Sequence, residues 1–168
     1  MRLVSDDTNG KSSLNSTALP TAPCNCQALR QAARRVTALY DAELAPFGLR
    51  VSQFSVLVRL HRGGPRSIRA LAAELEMDRT TLGRNIRPLE RDGLLHAGAD
   101  PVDGRSRLLA ITPHGLATLQ RATPAWRQAQ ATFEACYGSE AAAGLRAALL
   151  GVVAALHPTR IDVERPKP

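Results

Sequence analysis

Between Ile68 and Thr112 the chain reads IRALAAELEMDRTTLGRNIRPLERDGLLHAGADPVDGRSRLLAIT, and this stretch restricts the fold more than any other. Ser67 stands as a helix cap before Leu71 and Leu75, which lie one turn apart on a short helical face. Asp78 caps a second helix, its carboxylate placed to accept the free backbone N–H of Thr80 or Thr81. Leu82, Ile86 and Leu89 follow at helical spacing and predict a buried stripe, and Gly93 closes the helix where φ must turn positive. Glu76 occupies the turn between the two helices, where glycine is the commoner choice. Pro88, inside the second helix, removes one backbone donor and predicts a kink.

Beyond Gly93 the chain reads as a small hairpin. Leu94 and Leu95 begin one strand, Leu109 and Ile111 alternate on a returning one, and Asp100-Pro101-Val102-Asp103-Gly104 supplies the turn. The expected fold is mainly α with a small β-hairpin wing. Away from its buried stripe the second helix carries Arg79, Thr80, Thr81, Arg84 and Asn85, clustered in its first turns. Long or hydrogen-bonding side chains there suit a helix whose N-terminal half enters a DNA major groove. Arg105 and Arg107 flank the hairpin tip, placed to reach phosphates or a narrow minor groove, with Asp103 holding Arg105. Arg66, Ser67 and Arg69 surround the N-terminus of the short helix, which suits a phosphate contact.

These residues carry a resemblance. Asp103-Gly-Arg105-Ser-Arg-Leu-Leu109-Ala-Ile111-Thr112 is similar to the wing pattern D-x-R-x-x-x-L-x-L-T of the MarR family of winged-helix transcriptional regulators, with Ile at one Leu position. Leu89-Glu-Arg-Asp-Gly93-Leu94 matches that family's L-x-x-x-G-L after the reading helix, and the resemblance extends from Cys24 to Leu156. It implies a winged helix-turn-helix homodimer that binds double-stranded DNA at a pseudo-palindromic operator, acts as a repressor, and is released by an effector.

The rest of the chain fits that plan. Residues 1–23 are rich in Ser, Thr, Asn and Pro without periodicity and predict a flexible arm. Over 24–50, Asn25 is read as the cap of a helix to Leu44, with Cys26, Leu29, Ala33, Val36 and Tyr40 on one face. The DNA-binding region is expected over 51–112. In it Ser52 is read as the cap of a helix bearing Phe54, Leu57, Val58 and His61, ended by Gly63-Gly64-Pro65. Thr112-Pro113 starts a long helix through Leu116, Leu119 and Trp126 to Tyr137, with a kink expected at Pro124. Gly138 ends it, and Ser139 is read as the cap of a last helix reaching His157-Pro158. That helix is apolar nearly all round and needs burial on several sides, which a second protomer would supply. Residues 113–158, with 24–50, are therefore expected to form the dimer, and 159–168 a polar tail.

Composition narrows the partners. The net charge is +7, the pI is near 10.3, and of 22 basic residues all but Lys11 and Lys167 are arginine, which favours an anionic partner. No run is apolar and long enough to span a membrane and no signal peptide opens the chain, so a cytoplasmic location is expected. Glycine-rich phosphate loops, nucleophile elbows and paired carboxylates are absent from the sequence, so no enzymatic activity and no cofactor are expected.

Three cysteines, Cys24, Cys26 and Cys136, leave the control mechanism open. Cys26 lies at a helix N-terminus, where the dipole favours thiolate, and Arg30 follows one turn on. The layout resembles the organic-hydroperoxide-sensing branch of the same family, in which a reactive cysteine opens the first helix and a resolving one comes from the other protomer. That resemblance implies redox roles for Cys26 and Cys136, with Tyr40 beside the sulfur; Val51 stands where a second tyrosine is found. Cys26 and Cys136 also read as small packing residues, and Cys24 with Cys26 as a pair for a soft metal. A rival effector is a small aromatic ligand, for which Arg34, Tyr40, Phe54, His61 and Trp126 are the candidate pocket residues. His96, His114 and His157 show no metal spacing. A winged-helix protein-interaction module that never meets DNA is the alternative of a different class.

Overall fold

The computed structural model describes residues 23–99 and 107–156. The expected arm (but for Pro23), the hairpin tip with Asp103 and Arg105, and the tail lie outside the described residues. The elements in order are α1 (Asn25–Leu44), a 3-10 turn (Ala45–Phe47), α2 (Val51–Gly63), β1 (Arg66–Ser67), α3 (Ile68–Glu74), α4 (Arg79–Arg91), β2 (Leu95–Ala99), β3 (Arg107–Ile111), α5 (Pro113–Tyr137) and α6 (Ser139–Ala155). Helices dominate, with one small antiparallel sheet.

The helix starts show how local chemistry places them. Asp78 precedes α4 in extended conformation and accepts the Thr81 N–H at 2.8 Å and the Thr81 hydroxyl at 2.6 Å. Ser67 accepts the Ala70 N–H at 3.2 Å before α3. Thr112 accepts the Gly115 N–H at 2.9 Å while donating its hydroxyl to the Gly93 carbonyl at 2.7 Å. One side chain thus caps α5 and fastens it to the end of α4. The other expected caps shift. Cys24, not Asn25, precedes α1, and no side chain caps that helix. Arg50, not Ser52, precedes α2; its N–H donates to Gln53 Oε1 at 2.9 Å, and Asp41 Oδ1 accepts the Val51 N–H at 2.7 Å. Gly138 rather than Ser139 precedes α6. Both prolines lie inside their helices: α4 continues past Pro88 and α5 past Pro124.

Helices α3 and α4 end alike. After α4 the Gly93 N–H donates to the Glu90 carbonyl and the Leu94 N–H to the Leu89 carbonyl, with Gly93 at φ +68°. After α3 the Glu76 N–H reaches Ala73 and the Met77 N–H reaches Ala72, with Glu76 itself at φ +50°. The turn is therefore formed in full by a glutamate held in the left-handed region, not loosened by it.

The hairpin is part of a three-stranded sheet of order β1-β3-β2. Leu95 faces Ile111, Ala97 faces Leu109 and Ala99 faces Arg107, while Arg66 and Ser67 pair with Leu109 and Leu108. Strand β1 goes beyond the sequence expectation; two residues are too few to carry an alternating pattern. The core is aliphatic: Leu44, Val56, Leu57, Leu71, Leu82, Leu89 and Leu109 are almost wholly buried. They seat α4 against α2 and the sheet, and α1 and α2 against α5. Helix α6 stands apart, burying only Ala142, while Leu150 is 70% exposed and Leu156 61%. No single helix among the described residues is long and apolar enough to cross a membrane.

Candidate nucleic-acid interface

With Leu82, Ile86 and Leu89 buried beneath it, the outward face of α4 presents Arg79, Thr80, Thr81 and Arg84, all exposed. Thr81 spends its hydroxyl proton on Asp78, so toward solvent its oxygen is left as an acceptor. That bond is the first cause holding the Asp78 carboxyl below its ordinary range, followed by the Thr81 N–H. Arg87, exposed one turn beyond Arg84, extends the same basic face. Its spacing from Arg84 was visible in the sequence and signalled this.

Asn85 requires a correction. It is half-buried, its Oδ1 accepts the Ser52 hydroxyl at 3.0 Å, and its Nδ2 lies 3.9 Å from the Met77 sulfur. It locks α4 onto α2 and the preceding turn and does not belong with the free polar groups of the outer face. Arg66 is likewise engaged: its Nε lies 3.3 Å from Glu74 Oε2 and forms no hydrogen bond among the described residues. Arg69 is exposed on α3 beside the Ser67 cap. Arg107, exposed at the start of β3, donates Nη2–H to the Ala97 carbonyl at 3.3 Å.

A cavity of about 460 Å³ lies between α2, the end of α3 and α5. Phe54 and Trp126 stack there with ring centroids 6.0 Å apart and planes 10° from parallel. His61 lines it as well, so three of the five candidate pocket residues converge. Arg34 and Tyr40 do not. Arg34 is exposed on α1, and Tyr40 is buried with its hydroxyl donating to Gln130 Oε1 on α5. Burial, then the nearby Glu134 charge, pushes the Tyr40 hydroxyl pKa up, with Arg146 opposing. The cavity's charged wall, Arg59, Arg62 and Arg127, was missed because α2 and α5 are far apart in sequence.

Cys24, Cys26 and Cys136 are all free and exposed, so within the protomer none packs into the core. About 21 Å of helix rise separates Cys26 from Tyr40 along α1. Within one protomer Tyr40 therefore does not lie beside that sulfur. No cluster of three or more metal-binding side chains occurs among the described residues.

A capped reading helix, a positioning helix before it and a three-stranded wing define a winged helix-turn-helix protein. Comparison with known proteins is more specific. A sequence model described as MarR family matches residues 47–106. The structure of the M. tuberculosis transcriptional regulator MosR in complex with DNA is 37% identical, with a TM-score of 0.68, and the match covers 79% of this chain and 96% of that one. A probable transcriptional regulator from Pseudomonas aeruginosa is 32% identical with a TM-score of 0.68, covering 74% of this chain and 93% of the other. Among curated relatives, the HTH-type transcriptional regulator YxaD of Bacillus subtilis (strain 168) is 34% identical over 82 residues, 49% of this chain and 57% of that protein's length. The chain thus spans little more than half of that curated relative. It belongs to the MarR family.

Proposed function

We propose that this protein is a sequence-specific DNA-binding transcriptional regulator, acting as a repressor. The observation that carries this reading is the exposed row Arg79, Thr80, Thr81, Arg84 and Arg87 on a helix whose opposite side is wholly committed to the core. Arg84 reads a base in the major groove, and Arg69 with the Ser67-capped end of α3 holds the phosphate backbone. Arg105, with Asp103 assigned by the sequence to hold it, probes the minor groove. The similarity to MosR, whose structure is a complex with DNA, at 37% identity, supports DNA binding.

The binding unit is a homodimer built by residues 24–50 and 113–158. Support comes from α6, whose Leu150, Val153 and Leu156 are uncovered in the protomer. Two copies of α4 then address the halves of a pseudo-palindromic operator.

The effector is a small aromatic ligand held in the cavity lined by Phe54, His61 and Trp126, which releases DNA by favouring a different separation of the two reading helices. A second reading is favoured by the exposure of Cys26 and Cys136 at helix ends rather than in the core: oxidation at Cys26, resolved by Cys136 of another protomer.

The test is a mobility-shift titration against a duplex selected from a random-sequence pool. Affinity falls steeply with salt as phosphates are neutralised, and Arg84→Ala relaxes sequence preference at a cost of roughly 1–3 kcal/mol. Binding that ignores both salt and sequence would leave a protein-interaction module as the better account. Mild organic hydroperoxide, applied with Cys26→Ser and Cys136→Ser alongside, separates the two effectors.

A further inference from the structure

The bonds that start α4 fix the polarity of one exposed hydroxyl. Thr81 meets Asp78 twice: its N–H donates to Oδ1 at 2.8 Å and its hydroxyl to Oδ2 at 2.6 Å. The second distance is that of a hydroxyl bonded to a charged oxygen. The hydroxyl bond first, and then the N–H bond, hold the Asp78 carboxyl below its ordinary range. At neutral pH it is therefore a carboxylate with no proton to give. A threonine hydroxyl has a single proton, and that of Thr81 is already placed. What Thr81 offers a molecule approaching α4 is lone pairs and a methyl group. Asp78, exposed beside it, adds only further acceptors. Arg84, also exposed and three residues on, is a donor throughout. One turn of the helix thus presents two opposite polarities.

We propose that Asp78 is a positioning residue for base recognition: it makes Thr81 an acceptor, so that Thr81 selects an amino group, cytosine N4 or adenine N6, in the major groove. This rests on the reading of α4 as the helix that enters DNA and adds the kind of base edge that Thr81 takes. Cytosine and adenine present amino donors in that groove, whereas guanine O6 and N7 and thymine O4 are acceptors. A hydroxyl free to rotate suits either kind. With its proton committed to a carboxylate, Thr81 sets lone pair against lone pair at guanine or thymine. Relief comes only by giving up a charge-assisted bond, one of the stronger hydrogen bonds a side chain makes. Arg84 makes the complementary demand, the paired acceptors of guanine. A half-site that satisfies both carries a guanine for Arg84 and an amino-bearing base for Thr81.

The experiment uses the full chain and selects operators from a random-sequence pool for the wild type, Thr81→Val and Asp78→Asn. Valine keeps the shape and the capping N–H of Thr81 but loses the oxygen. One position of the half-site therefore gives up its cytosine or adenine and gains thymine, whose methyl group an apolar side chain contacts. Asparagine caps a helix as well as aspartate does, and its Nδ2–H donates to the Thr81 oxygen, which frees the hydroxyl proton. Asp78→Asn is expected to melt close to the wild type yet admit thymine or guanine at that same position, a change that a purely structural cap would not bring. Putting purine for the adenine there, or pyrimidin-2-one for the cytosine, removes the amino group alone. Wild-type affinity falls several-fold, while Thr81→Val binds the two duplexes equally. The proposal is overturned, with the reading of α4 left standing, if Thr81→Val shifts no position or the position it shifts is guanine or thymine in the wild type. An unchanged preference in Asp78→Asn, or amino removal that costs wild type and Thr81→Val alike, overturns it too. If the wild type enriches no sequence at all, the DNA reading itself falls, and this proposal with it.

Discussion

Asp78 and Thr81 decide where the reading helix begins, and their bond is sensitive to acid. Because the folded-state pKa of Asp78 lies below its ordinary value, the cap's contribution is full above the ordinary carboxylate range. It is lost as pH falls through the lowered pKa. The thermal stabilities of wild type and Asp78→Ala therefore differ at neutral pH and converge in acid, as melting curves across pH would reveal. Glu76 shows the reverse situation, a residue that fits its place at a cost. At φ +50° a side chain is disfavoured, and glycine escapes that cost at some loss in chain entropy. Glu76→Gly is expected to stabilise the fold by about 0.5–1 kcal/mol in denaturant titration. Gly115 has no such latitude: a Cβ there would lie 2.0 Å from the Leu94 carbonyl oxygen, where α5 meets the end of α4. Gly115→Ala should cost about 3 kcal/mol or more, since backbone on both sides must move. A melting temperature equal to the wild type's would refute that close approach.

At the scale of elements, α4 is legible in sequence almost to the residue. Its cap, its stripe of Leu82, Ile86 and Leu89, and its Gly93 closure are all local signals. What its sequence could not show is how the helix is turned. Asn85 looks like one more polar residue of the reading face until Ser52, from a different helix, is found bonded to it. Removing that bond by Ser52→Ala leaves the half-buried Asn85 carbonyl without its partner and should cost roughly 1 kcal/mol or more. Operator affinity should drop with it as α4 loses its register on α2, which stability and shift measurements on the same variant would detect. The caps of α1 and α2 slip by one or two positions for a related reason. Asp41, on the neighbouring helix, supplies the acceptor that fixes Val51 as the first residue of α2. Strand β1 exists because Ser67 and Arg66 find Leu108 and Leu109, not because of any pattern of their own.

Across the whole molecule the unsatisfied feature is α6. Its sequence demands burial, and within one protomer it receives almost none, held to α5 by contacts that include an Arg146–Glu134 pair at 3.2 Å. If a second copy covers it, Leu150→Glu should convert a dimer into monomers in sedimentation experiments while leaving each winged-helix lobe folded. A variant that stays dimeric would place the interface elsewhere. The sequence by itself determined the helix-turn-helix, the wing and the basic outer face, because capping, periodicity and turn chemistry act over a few residues. The tertiary structure alone decided which polar groups remain free, how Phe54, Trp126 and the arginines of α2 and α5 come to share a cavity, and that Glu74 stands between Arg59 and Arg66. Those depend on packing between segments distant in the chain, and no local pattern encodes the direction in which one side chain meets another.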